Sequence, residues 1–181
     1  MTTIQEVKVT ASRIAVIIGK GGETKRLIEE KTGTELAIDS EEGTVTVEGT
    51  DALAVLRTIE IIKAINRGFS PERAFLLLED EDMILEIIDL SGVCTTTKQM
   101  ERIRGRIIGK GGKARAQIED MTGVAISVHG KTIALIGMPE QLKVTRSAVD
   151  MLLEGLPHET VFSFLDRKKK EAKTDILEYY Y

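Results

Sequence analysis

Ile17-Ile18-Gly19-Lys20-Gly21-Gly22 returns unchanged as Ile107-Ile108-Gly109-Lys110-Gly111-Gly112, 90 positions further on. Outward from these six residues, Ile28-Glu29 is answered by Ile118-Glu119, and Thr32-Gly33 by Thr122-Gly123. Self-similarity at a period near half of a 181-residue chain implies two similar small domains. In each copy the glycines separate two stretches whose apolar residues recur at helical spacing. Glycine has no Cβ, so such a turn lets another backbone approach its main-chain N–H groups closely. The helix that follows adds the positive end of its dipole, a combination suited to phosphate.

Around the first turn the pattern reads strand, helix, glycine turn, helix, strand, strand, helix. Ile4, Val7 and Val9 start it as a short strand. Ser12 is the expected cap of a brief helix bearing Ile14, Ile17 and Ile18. Residues 23–32 form a second helix, with Leu27 and Ile28 inward and Gly33 as its stop. Leu36-Ala37-Ile38 and Thr44-Val45-Thr46-Val47 make a hairpin turned at Ser40 to Gly43. Asp51 then begins a longer helix, with Leu53, Leu56, Ile59, Ile62 and Ile65 on one face. The same order recurs from Met83 to Leu153, where Pro139 stands in the first turn of the last helix.

Between the repeats, Ser70 and Pro71 cap and open a helix to about Leu78, which is expected to pack the two units together. Beyond Pro157, residues 158–173 are expected as an amphipathic helix, and Tyr179-Tyr180-Tyr181 has no reading of its own. The expected division is therefore 1–67, a connecting helix at 68–81, 82–156, and a C-terminal helix and tail at 157–181.

Nucleotide-binding glycine loops can be tested on the spot. A dinucleotide fingerprint starting at Gly19 needs glycine at 24, where Thr24 stands. A P-loop needs glycine five residues before Gly19 or Gly109 and a hydroxyl residue after the lysine. Ile14 and Arg104 occupy the first positions, and Gly21 and Gly111 the second. Both readings fail.

What remains, helix, Gly-Lys-Gly-Gly, helix, twice over, resembles the KH domain. The resemblance implies an α+β fold of two tandem eukaryotic-type KH domains (β-α-α-β-β-α), because a strand and helix follow each core. Each is then a three-stranded sheet covered by three helices on one face. In that family the GxxG loop clamps about four unpaired nucleotides over an aliphatic groove. The matching groove positions are Ile14, Ile17, Ile18, Leu36 and Ile38, then Ile107, Ile108, Ile126 and Val128. Aromatic residues make up only 4% of the chain, which disfavours base-stacking platforms of other RNA-binding folds.

Candidate RNA-binding residues are Ile18, Gly19, Lys20, Gly21, Gly22 and Lys25 in the first unit. In the second they are Arg102, Arg104, Arg106, Ile108, Gly109, Lys110, Gly111, Gly112, Lys113 and Arg115. The chain's net charge of −4 would argue against a polyanion, but its distribution does not. Residues 98–115 carry seven bases and one acid, whereas residues 79–89 carry six acids and no base. Screening confines each charge to a reach of about 10 Å at moderate salt, so the local field decides. The stretch from Arg13 to Lys31 nets +2 against +6 for residues 98–115. The second unit is therefore expected to dominate RNA binding.

A wider set of residues narrows the resemblance. Residues 67–74 (Arg67-Gly68-Phe69-Ser70-Pro71-Glu72-Arg73-Ala74), Ile87-Ile88-Asp89-Leu90, Gly130-Lys131-Thr132, and residues 151–158 are similar to the archaeal form of the Partner of Nob family. That resemblance implies binding near the 3′ end of 16S rRNA, help to the Nob-type endonuclease that trims it, and a translation initiation factor subunit as a further partner.

Other classes are weaker. His129 and His158 sit in no metal or triad pattern, and no cofactor, metal or catalytic residue is expected. The single cysteine, Cys94, excludes an internal disulfide and reads as a bystander thiol. No run of about 18 apolar residues spans a membrane, and the first residues lack a secretory pattern, so a cytoplasmic protein is expected. The alternative is a KH-based protein adaptor, or a translation-linked factor with little rRNA specificity, working through its acidic and C-terminal segments.

Overall fold

The computed structural model describes residues 1–180; of the terminal tyrosines, Tyr181 lies outside the described residues. The chain divides into two compact units, Met1–Leu85 and the residues from Glu86 onward, with the division inside a strand.

In the first unit, β1 (Thr3–Lys8) leads into α1 (Ala11–Ile18), a 3₁₀ turn at Lys20–Gly22, and α2 (Glu23–Thr32). Strands β2 (Glu35–Asp39) and β3 (Thr44–Gly49) and helix α3 (Ala52–Asn66) follow. The sheet order is β1-β3-β2, with β3 antiparallel to both neighbours. Val45 and Val47 of β3 are fully buried, as period-2 alternation on one covered face requires. Against that face α3 turns Val55, Thr58, Ile59, Ile62 and Ile65, spaced for one helical stripe.

Three local expectations change. Leu53 and Leu56 are 61% and 54% exposed, because the buried stripe runs through Val55 and Ile59 instead. Leu27 is also on the outside; it lies about 100° around the helix from its buried neighbour Ile28, and one stripe cannot hold both. Helix α1 starts after Thr10 rather than Ser12, with no side-chain cap bond. The caps at Asp51, which accepts from the Leu53 N–H at 2.9 Å, and at Ser70, which accepts from the Arg73 N–H at 3.3 Å, are as read.

Segment 68–81 forms α4 (Pro71–Ala74) and a 3₁₀ turn at Phe75–Leu78. Phe69, Ala74 and Leu77 are buried, and both pieces pack on α3 within the first unit. Arg57 of α3 donates to the carbonyls of Leu77, Glu81 and Met83, which fastens the segment's far end.

The second unit repeats the plan with β4 (Ile84–Asp89), α5 (Thr97–Ile108), a 3₁₀ turn at Lys110–Gly112, α6 (Lys113–Thr122), β5 (Ala125–His129), β6 (Thr132–Gly137) and α7 (Pro139–Leu153). Its sheet order is β4-β6-β5. A further helix, α8 (His158–Tyr180), lays Val161 and Leu165 against α6 and α7. Its later turns are exposed, Ile176 and Leu177 included.

Candidate nucleic-acid interface

The two glycine turns have nearly the same backbone. Gly19 and Gly109 sit at φ 71°, ψ 179° and φ 73°, ψ 176°. Gly21 and Gly111 sit at φ 60°, ψ 22° and φ 63°, ψ 23°. The glycines differ in what they face. A Cβ on Gly19 would lie 2.2 Å from Thr24 Oγ1, and one on Gly109 would lie 2.5 Å from Ala114 Cβ. A Cβ on Gly21 or Gly111 would meet nothing within 4 Å. The first glycine of each turn lets α2 or α6 pack; the second presents bare main chain outward.

Gly22 and Gly112 are the N-caps of α2 and α6, and neither supplies a side-chain acceptor. The first N–H groups of those helices therefore lack the usual cap and lie beside an exposed lysine, Lys20 or Lys110. An anion can complete both.

The groove candidates sort by burial. Ile14, Ile17, Leu36, Ile107 and Ile126 are core residues, 5% exposed or less. Ile18 and Ile38 in the first unit, and Ile108 and Val128 in the second, are half-buried and supply the accessible aliphatic positions of their own units.

Several candidate cations are already engaged. Lys25 pairs with Glu29 at 3.1 Å, and Arg115 with Glu119 at 3.6 Å. Arg106 donates to the Leu156 carbonyl. Arg102 and Lys113 are exposed, and Arg104 is half-buried on the surface of α5.

Glu29 and Glu119 recur in both repeats, and their work is structural. Glu29 accepts from the Leu36 N–H at 2.9 Å and Glu119 from the Ile126 N–H at 3.0 Å, tying each second helix to the groove strand. Likewise Thr32 and Thr122 each donate to a carbonyl one turn back, at 2.7 Å. The sequence flagged these residues by repetition, but only the fold shows why they repeat.

The units differ in charge at the turn itself. Glu23 opens α2, whereas Lys113 opens α6. Arg26 donates to the Gly21 carbonyl at 3.0 Å, and the matching residue of the second unit is Ala116. His158 sits at the start of α8 with Nε2 2.7 Å from the Arg106 carbonyl, and Cys94 is buried. Among the described residues no group of three or more His, Cys, Asp or Glu could hold a metal, and no helix is long and apolar enough to cross a membrane.

Comparison with known proteins agrees with this geometry. Residues 4–64 match the family model of the KH domain, and residues 84–170 match that of the eukaryotic-type KH domain (KH-domain type I). The chain is 41% identical over 175 residues to a KH domain-containing protein of Methanocaldococcus jannaschii, covering 94% of this chain and 76% of that protein. It is 32% identical over 117 residues to the pre-rRNA-processing protein PNO1 of Candida albicans, covering 64% of this chain and 42% of that protein. The chain thus spans half or less of the length of such eukaryotic relatives. A chain of the a/eIF2alpha-aDim2p-rRNA complex from Pyrococcus horikoshii superposes with a TM-score of 0.88 at 46% identity, covering 94% of this chain and 96% of that one.

Proposed function

The chain belongs to the Partner of Nob family of tandem KH proteins, and from that premise we propose that it binds single-stranded RNA during small ribosomal subunit assembly. Its site is the 3′ end of 16S rRNA, where it assists the Nob-type endonuclease that trims that end. It acts in the cytoplasm and is itself a binding module, not an enzyme.

The observation that carries this reading is the pair of Gly-Lys-Gly-Gly turns with matching backbone, each opening an uncapped helix beside a half-buried aliphatic strip. Gly19, Gly21 and Gly22, and Gly109, Gly111 and Gly112, bring main-chain N–H groups to phosphate. Lys20, Lys110, Lys113, Arg102 and Arg104 add mobile or surface charge. Ile18 and Ile108 lie under the bases. Lys25, Arg106 and Arg115 contribute field while holding protein partners. Similarity to pre-rRNA-processing proteins and to a chain of an rRNA complex supports the choice of RNA.

Crosslinking the protein to RNA in cells tests the assignment. Reads should gather at the small-subunit rRNA 3′ end, and a main peak elsewhere would overturn it. The second reading, a translation-linked adaptor, draws on the a/eIF2alpha partner of that solved relative. Filter binding with single-stranded RNA separates the two, since an affinity too weak to measure at low salt would favour the adaptor.

A further inference from the structure

The two units part company just before the helix that carries the glycine turn. In the first, two residues, Val9 and Thr10, join β1 to α1, which is 8 residues long. In the second, residues 90–96 join β4 to α5, which is 12 residues long and so begins about one turn earlier relative to its glycines. Both connections start from one anchor: the Val9 N–H donates to the Gly43 carbonyl and the Leu90 N–H to the Lys131 carbonyl, each at 2.8 Å. The additional residues of the second unit then curl over the end of α5, with the Cys94 N–H returning to the Leu90 carbonyl at 2.8 Å.

This extension lines one side of an open cavity of about 330 Å³ between the start of α5 and the β5–β6 turn. Thr97, Glu101 and Arg104 of α5 line it, together with Lys131 of the β5–β6 turn and the buried Cys94 and Met100. Thr97, Glu101, Arg104 and Ile108 follow one another at intervals of four, three and four, so they share one face of α5. Ile108 directly precedes the glycine turn, about 16 Å along the helix from Thr97 at 1.5 Å per residue. The cavity therefore lies on the same helix face as the turn, at the other end of the helix. The hairpin of β5 and β6, which holds Val128, ends at Lys131.

The lining chemistry is not that of a phosphate seat. Glu101 brings a carboxylate, which repels phosphate but accepts from a base amino group. Arg104 and Lys131 offer donors beside it. Apolar Cys94 and Met100 in the same lining as an acceptor and two donors suit the flat face and edge of one nucleobase. The volume falls at the small end of ligand pockets, which run from about 300 to 1,000 Å³.

We propose that this cavity is a base subsite of the second unit, taking a nucleobase that flanks the nucleotides held at the glycine turn. Glu101 accepts from the base's amino group, while Arg104 and Lys131 donate to its neighbouring acceptor. The subsite prefers cytosine, adenine or guanine over uracil, which has no amino group. It rests on the RNA-binding reading above and extends the footprint of the second unit alone.

Selection from a random 12-nucleotide single-stranded RNA pool on the full chain tests this. The enriched motif should contain a core of about four nucleotides flanked on one side by an amino-bearing base. Selection on Glu101→Ala should return the same core with that flanking preference erased. In fluorescence anisotropy, an abasic nucleotide at the flanking position should weaken binding to the wild-type chain about ten-fold, within the range of one specific base contact. The same abasic change should leave binding to Glu101→Ala nearly unmoved. Identical motifs from both proteins, or full affinity for the abasic RNA, would overturn the subsite. Enrichment of the core motif by Lys110→Asp/Gly111→Asp would instead defeat the glycine-clamp reading beneath it, so the two failures are told apart.

Discussion

Gly109 and Gly111 stand two residues apart with similar positive φ values of 73° and 63°, yet they answer to different constraints. Gly111→Ala places a side chain in left-handed backbone, costing about 1–2 kcal/mol, whereas Gly109, at ψ 176°, occupies a region that essentially only glycine adopts. Only Gly109→Ala also drives a methyl to 2.5 Å from Ala114 Cβ, so α6 must shift. Thermal unfolding should therefore show Gly109→Ala melting below Gly111→Ala, and equal melting would refute the packing role of the first glycine. The carboxylate of Glu29 is a comparable pin. Glu29→Ala strands the Leu36 N–H in a partly buried place, at a cost of about 1–3 kcal/mol. Hydrogen exchange at the Leu36 amide should accelerate, and an unchanged rate would assign Glu29 only its ion pair with Lys25. The glycines were legible in sequence because spacing alone marks a turn. The carboxylate pins were visible only as a repeat, since a contact seven residues away leaves no periodic trace.

At the scale of elements, each unit fixes the end of its third helix from the helix before the glycine turn, using arginines that are not equivalent in the repeat. Arg13 Nη2 donates to the Phe69 carbonyl at 2.8 Å, and its Nε donates to the Ile65 carbonyl at 2.7 Å. Burial lowers the Arg13 pKa from its ordinary value. Arg106 donates to the Leu156 carbonyl, and the His158 Nε2–H donates back to the Arg106 carbonyl. Phe69 and Leu156 each lie three residues beyond the helix end, at Asn66 and Leu153. Arg13 stands six residues before its glycine and Arg106 three before its own, one helical turn apart on a shared face. Register by 90 thus hides the correspondence, and charge counting assigns Arg106 to RNA alone. Arg106→Met keeps the apolar stem and removes the donors. It should destabilise the second unit by about 1–3 kcal/mol in chemical denaturation and open residues 154–158 to proteolysis. A loss of RNA affinity with unchanged stability would return Arg106 to a purely phosphate-facing role. The strands, the hairpins and the capped starts at Asp51 and Ser70 were readable beforehand, because period and cap chemistry are local. The outward Leu53 and Leu56 were not, since which stripe is buried depends on the sheet it meets.

For the whole molecule, a net charge of −4 coexists with a strongly basic stretch at residues 98–115, and the duplicated turns are alike in backbone but not in surroundings. Glu23 places a negative charge at the opening of α2, where phosphate would bind, whereas Lys113 places a positive one at α6. Arg26 is drawn to the Gly21 carbonyl, while the second turn has no such partner at Ala116. Each phosphate neutralised on single-stranded RNA adds about 0.7 to the slope of log affinity against log salt. The second unit should therefore supply most of both affinity and slope. Lys20→Asp/Gly21→Asp and Lys110→Asp/Gly111→Asp test this without unfolding either unit, because a Cβ at Gly21 or Gly111 meets nothing and aspartate tolerates left-handed backbone. In filter-binding salt titrations the second pair should lose far more affinity and leave a flatter slope, while the first pair leaves the slope nearly intact. Equal losses from the two double substitutions would mean that the repeat makes two equal clamps, and the asymmetry argued from Glu23, Arg26 and Lys113 would fall.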